Sequence, residues 1–251
     1  MKVLISPVDA GEAVIAARGG ADIVDIKNIA EGSLGASFPW VIRETIRAVN
    51  QPGTVFSATL GDLPHKPGTA ALAALGAVMS GALYVKAGLH GSRTVAEGVE
   101  LMSAVVRACK EARPEVTVVT AGYADHARFG GLTPEMLVRV AAESGSDLVM
   151  MDTLVKDGKS LFDALTTDEL GEFVTLAHAA DLKSALAGSV RTEHLAALAG
   201  IGVDVVGVRG AVCGGNDRST GIDPRKVETF LAAARQLSGP APVAERESRL
   251  P

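Results

Sequence analysis

The stretch IVDIKN, Ile23 to Asn28, sets an aspartate and a lysine two residues apart in an otherwise apolar, β-branched run. Asp and Lys are among the residues least often fully buried, because desolvating an unpaired charge is costly. Successive side chains of a strand face opposite sides, so Asp25 and Lys27 share one face while Val24 and Ile26 share the other. That division fits a strand of a closed parallel barrel. The apolar face meets helices, and the charged face looks into the barrel near the strand's C-terminal end, where enzymes of this architecture carry their active sites.

The rest of the chain repeats the pattern. Short apolar runs at 3–7, 23–28, 54–60, 82–89, 116–123, 147–154, 182–189 and 203–210 alternate with Ala-rich segments of helical period. Helices are expected over Gly11 to Arg18, Pro39 to Asn50, Arg93 to Glu111, Pro134 to Ser144 and Thr192 to Ala199. Pro39 and Pro134 suit a first helical turn, and Thr133 and Thr167 are expected N-caps. Eight strand-helix rounds in about 230 residues is the arithmetic of a (β/α)8 TIM barrel. An open doubly wound sheet would announce a dinucleotide with G-x-G-x-x-G after its first strand, where this chain has PVDAGEA. A single domain is expected over residues 1–237, followed by a disordered tail, SGPAPVAERESRLP, at 238–251.

Composition narrows the partners. A net charge of -5 without any Lys/Arg run argues against nucleic-acid and anionic-membrane surfaces and favours small molecules. Cys109 and Cys213 stand far apart without a ligand pattern, so neither a disulfide framework nor a zinc site is indicated, and a reducing cytoplasm fits. No run approaches the roughly 18 apolar residues of a membrane span. The five histidines show no metal-ligand spacing, and no metal or nucleotide cofactor is expected. His90, just past the fourth strand, is a minor candidate proton donor.

Two more strands carry charge where the second does. In ALYVKAGL, Tyr84 and Lys86 face inward, opposite Leu83 and Val85. In LVMMDTLVKDG, Asp152 closes the strand and Lys156 follows in the loop above. These charges could be internal salt bridges, Asp25 with Lys27 or Lys86 with Asp152. Buried pairs add little net stability over apolar replacements, however, and a barrel has small reason to keep several. A lysine crowded by other cations and partly desolvated favours its amine form, and an amine attacks carbonyls to form an iminium electron sink. The residues by themselves point to aldolase-like or dehydratase chemistry. The loops after strands seven and eight offer backbone donors for phosphate at Gly188 and Ser189 and at Gly210, Ala211 and Val212, with Arg209 or Arg191 supplying charge. The loop from Asn28 to Trp40 either folds over the substrate or is a crossover docked by Phe38 and Trp40.

VDIKNIAEGSLGASFPWVI, YVKAGL and VMMDTLVKDGKSLFD together resemble the (5-formylfuran-3-yl)methyl phosphate synthase family of methanofuran biosynthesis, over residues 1 to about 236. The resemblance implies an aldolase-like barrel that condenses two molecules of glyceraldehyde 3-phosphate with loss of phosphate and water. It implies a carbon–oxygen lyase acting on phosphates, and a homo-oligomer. It puts the Schiff base on Lys27, the proton-accepting lysine on Lys86, and further roles on Asp152 and Lys156. Asp25 would hold Lys27 or relay protons. The expected course is an iminium on Lys27, proton removal by Lys86, attack of the carbon nucleophile on the second aldehyde, then elimination, ring closure and dehydration. The competing expectations are a class I aldolase for another sugar phosphate, which would release no phosphate, and a non-catalytic phosphometabolite-binding barrel, which borohydride would not trap.

Overall fold

Eight parallel strands built from β-branched and small apolar residues pair in chain order, and the last closes on the first. They are β1 (Lys2–Ile5), β2 (Ile23–Ile26), β3 (Val55–Asp62), β4 (Tyr84–Gly88), β5 (Thr117–Tyr123), β6 (Leu148–Asp152), β7 (Lys183–Leu186) and β8 (Val205–Val208). This computed structural model describes residues 1–237, so the expected tail at 238–251 lies outside the described residues. Helices α1 (Ala10–Gly19), α2 (Pro39–Val49), α3 (Pro67–Met79), α4 (Val95–Ala112), α5 (Pro134–Ser144), α6 (Leu161–Ala164), α7 (Thr167–Ala179), α8 (Leu195–Gly200) and α9 (Pro224–Leu237) run between and after the strands. The protein is a single-domain (β/α)8 barrel.

The helices start where the sequence supplies caps, with one correction. Thr133 Oγ1 accepts from Met136 N ahead of Pro134, as expected. At α7 the cap is Thr166 rather than Thr167, because Glu169 sits three residues after Thr166 and closes a reciprocal box with it. The expected helix at 192–199 splits into a 3-10 turn, Thr192–His194, followed by α8. Among the described residues no helix is long and apolar enough to cross a membrane.

The strand period sorts the core into two layers. Val24, Ile26, Val85 and Val149 face outward and pack with the helices. Leu4, Ile23, Val119, Leu148, Met150 and Val205 face inward, with Val55 and Tyr84 against them, and fill the barrel. Above this plug the inward positions of β7 and β8 turn small: Ala185, Ala187 and Gly207. A methyl at Gly207 would lie 3.0 Å from Ala187 Cβ and 3.5 Å from Met150 Cε, so the missing side chain is what keeps the upper interior open.

The seam between the first and last strands carries a buried ion pair. Arg209, just past β8, donates to Glu12 of α1 through Nη1 (2.7 Å) and Nη2 (3.3 Å), and to Ser6 O (2.9 Å). Glu12 also accepts from the amides of Val8 and Ile222. Arg209, expected as a charge for phosphate, lines the cavity with its guanidinium already engaged by Glu12. Replacing Glu12 by Ala leaves that guanidinium buried and unmatched, at a cost of about 3–5 kcal/mol. Urea unfolding should show this loss, while removal of the exposed Arg107–Glu111 pair should leave the unfolding midpoint almost unchanged.

Candidate active site

At the mouth of the barrel, two buried carboxylates meet three lysines. Asp25 is fully buried, and its Oδ2 accepts from Lys86 Nζ at 3.0 Å and from Ser6 Oγ at 3.0 Å. Oδ1 has no partner of good hydrogen-bond geometry among the described residues, although Ser57 faces it across the β2–β3 register and helps keep the carboxyl ionised. Burial raises the Asp25 pKa, but Lys86 and Lys27 outweigh it and hold the carboxyl below its ordinary value. Asp152, at the end of β6, accepts from Lys156 Nζ at 2.7 Å and from the Thr153 amide at 2.7 Å. Burial again raises its pKa, and Lys156 with Lys27 brings it down to about 2.

The pairs are therefore Lys86 with Asp25 and Lys156 with Asp152, and neither of the salt bridges the sequence offered, Asp25 with Lys27 or Lys86 with Asp152, forms at contact distance among the described residues. Lys27 is left without a carboxylate at salt-bridge distance. It lies one residue beyond β2, remains buried, and donates a single hydrogen bond to Ser33 O at 3.3 Å. Burial lowers its pKa to about 8, with Lys86 and Lys156 adding to the fall and Asp152 and Asp25 resisting it. Asp25 accordingly positions Lys86 rather than Lys27.

These groups open on a cavity of about 340 Å³, toward the small end of the range of ligand sites. Lys27, Lys86, Asp152, Lys156, Gly188, Ser189, Gly210 and Ala211 line it, and Asp25 lies behind its wall. Gly188 adopts φ 109° and Ser189 φ 48°, which turns the chain sharply past Thr153. A Cβ at Gly188 would come within 3.0 Å of Thr153 N, so only glycine fits. The amides of Gly188, Ser189, Gly210 and Ala211 have no acceptor among the described residues and are free to bind an anion. Val212 departs from the expectation. It is buried in the outer core, and its amide is used on Arg209 O at 3.0 Å. Arg191 stands at the rim, paired with Glu193 at 3.5 Å.

The loop after β2 is a roof, and it is not docked by its aromatic residues. Phe38 and Trp40 are half exposed and stack on each other at 4.7 Å. What fastens the loop is Asp62 at the end of β3, which accepts from Ser33 N at 2.8 Å and from Leu34 N at 3.3 Å. Ser33 Oγ reaches Thr153 O at 2.8 Å, and Thr59 Oγ1 holds Gly35 O at 2.6 Å. Tyr123 donates its hydroxyl to Asp62, and burial followed by that carboxylate pushes the phenol well above its ordinary pKa. Sequence reasoning passed over both: Tyr123 ends the inward-facing pattern of β5, while Asp62 follows a register shift after Thr59 that alternation does not reveal. His90 packs against Tyr123 and Phe129 and does not line the cavity. No group of three or more His, Cys, Asp or Glu that could hold a metal occurs among the described residues.

The 4-HFC-P synthase family pattern matches residues 3–231. The (5-formylfuran-3-yl)methyl phosphate synthase of Methanothermobacter thermautotrophicus is 57% identical over 221 residues, covering 88% of this chain and 93% of its own. The protein of that name from Methanosarcina mazei is 53% identical over 234 residues, covering 92% and 98%. Among solved structures, KGPDC from Streptococcus mutans superposes with a TM-score of 0.67 at 13% identity, covering 94% of this chain and 98% of its own. The 3-hexulose-6-phosphate synthase of Salmonella typhimurium gives 0.63 at 19%, covering 93% and 100%. These two likenesses extend to the fold alone. With a family pattern over nearly the whole barrel and relatives more than half identical across almost their full length, the chain belongs to the 4-HFC-P synthase family.

Proposed function

We propose that the protein condenses two molecules of glyceraldehyde 3-phosphate into (5-formylfuran-3-yl)methyl phosphate, through a Schiff base on Lys27, as a cytoplasmic enzyme of the carbon–oxygen lyase type. The observation that carries this reading is the state of Lys27, a buried lysine lining the cavity without a carboxylate partner and with its pKa lowered to about 8. The names of the relatives support the product.

The carbon skeleton constrains the chemistry. The product can be cut into two unbroken three-carbon chains in only one way: aldehyde with ring carbons 5 and 4, and ring carbons 2 and 3 with the phosphorylated methylene. The first triose therefore keeps its aldehyde carbon and loses phosphate from its C3. The new bond joins that C3 to the central carbon of the second triose, rather than to its aldehyde. Two trioses contain the product, one phosphate and two waters, so the reaction is redox-neutral.

In this scheme the Lys27 amine attacks the first aldehyde, and the iminium acidifies the neighbouring C–H. Lys86, which lines the cavity and gives up its own proton to solvent there, receives that proton while Asp25 holds its Nζ at 3.0 Å. Bringing the second triose to react at its central carbon requires an enediol, which is a proton transfer of the same kind. The free amides at Gly188, Ser189, Gly210 and Ala211 hold the phosphate that the product retains, and Lys156, anchored on Asp152, neutralises charge nearby.

Purified protein given glyceraldehyde 3-phosphate alone should release free phosphate and an ultraviolet-absorbing furan aldehyde of matching mass. Borohydride should trap a covalent adduct on Lys27, and Lys27→Ala should abolish both adduct and product. Near-normal turnover by that variant refutes the scheme. An adduct without phosphate release would indicate an aldolase acting on another substrate, and no adduct would indicate a binding role.

The pH profile offers a separate check. The attacking form is the neutral amine, whose fraction rises as pH rises through about 8 and is ~1% at pH 6. Thus kcat/KM should climb with pH and level off above about 8. Asp152→Asn removes the carboxylate that most strongly raises the Lys27 pKa, so the limb should move to lower pH. A limb that stays in place would count against Lys27 as the titrating group.

A further inference from the structure

Six cationic side chains line the cavity, and four are matched by carboxylates. Lys86 pairs with Asp25, Lys156 with Asp152, Arg209 with Glu12 and Arg191 with Glu193. Lys27 serves as the amine. The sixth is Arg218, in the loop after β8, and its guanidinium makes no hydrogen bond or ion pair among the described residues.

Its backbone, by contrast, is firmly held. Arg209 Nε donates to Arg218 O at 2.9 Å, and Arg209 Nη2 donates to Thr220 O at 3.3 Å. Thr220 Oγ1 donates to Gly214 O and Asp217 O, and Lys226 Nζ holds Asn216 Oδ1 at 2.7 Å. Asp217, which also borders the cavity, is used locally on the Ser219 amide at 2.9 Å. Gly210 lets this loop settle on the end of β8, since a Cβ there would lie 3.3 Å from Asn216 O and 4.0 Å from Arg218 Cβ.

The carboxylates whose charge bears on Arg218 are Asp152 and Asp62, on β6 and β3, neither a neighbour of β8. Arg218 lines the same cavity as Lys156 and Asp152. Asp152 is also the carboxylate that bears most on Lys27. A partly buried guanidinium with no hydrogen-bond acceptor or carboxylate in contact is a poor structural element and a good anion ligand.

We propose that Arg218, with Lys156 on the shared Asp152, forms a second anion subsite that receives the phosphate leaving the triose held on Lys27. It is separate from the backbone amides that keep the retained phosphate. This inference rests on the proposed synthase reading. In the step it serves, the C2 proton passes to Lys86 while the C3–O bond breaks, with both its electrons going to the phosphate oxygen. The charge gathering on the departing dianion is met by a planar fork of N–H donors.

Calorimetric titration of the full chain with inorganic phosphate tests this without turnover. Wild-type protein should bind two phosphates per chain. Arg218→Gln should lose one of them, or weaken it about 10- to 100-fold, and leave the other unchanged. Arg218→Lys should recover part of the second affinity, which a merely structural role would not produce. A single site in the wild type, or an unchanged two-site isotherm for Arg218→Gln, overturns the subsite. If the isotherms behave as expected while no furan forms from glyceraldehyde 3-phosphate, the synthase reading falls and the anion subsite stands.

Discussion

Two buried carboxylates shared among three lysines set the character of this barrel's mouth. Asp25 and Asp152 can each offset one ammonium, and they are taken by Lys86 and Lys156. A third buried ammonium has no counter-charge in contact, and shedding its proton is the least costly way to relieve the desolvation. Lys27 is therefore the lysine driven toward the amine. Were Asp25 paired with Lys27 instead, the same five residues would hold a fully charged lysine and lose the proposed nucleophile. Reactivity here follows from the pattern of pairing, beyond the presence of the groups.

The roof over Lys27 is built so that its geometry does not change with protonation near neutrality. Ser33, whose carbonyl receives the Lys27 hydrogen bond, is fixed through its amide on Asp62 and its hydroxyl on Thr153 O. Tyr123 supports Asp62 from β5, and its raised pKa keeps it a donor throughout the working range. Lys27 is consequently held by a neutral carbonyl on a fastened loop, which orients its Nζ without restoring its charge.

The period of the strands made much of this legible. Alternation alone put Asp25, Lys27, Lys86 and Asp152 on inward faces near strand ends, and repetition of the strand-helix round identified the barrel. Alternation states which face a side chain takes, but not which partner it meets across the barrel, so Lys86 with Asp25 was not among the salt bridges it offered. Val212 looked like a phosphate donor because it follows Gly210, yet the 3-10 turn spends its amide on Arg209 O. Arg209 looked available because Glu12 lies nearly two hundred positions away in the chain. Tyr123 was within reach of the same inward-face argument, whereas Asp62 was hidden by the register shift after Thr59. Arg218 was not, since its importance lies in lacking a partner, and that is visible only once every other cation is accounted for.

The Glu12–Arg209 pair joins the second element of the chain to its penultimate stretch, at the seam where β8 meets β1. The same arginine carries the loop that presents Arg218, and β8 contributes the small residue that opens the cavity. A growing chain therefore has Lys27 and Lys86 long before it has a pocket to use them in. Until its last strand and the loop after it leave the ribosome and the ring shuts, the nascent polypeptide lacks Gly210, Ala211 and Arg218 and has no enclosed chamber.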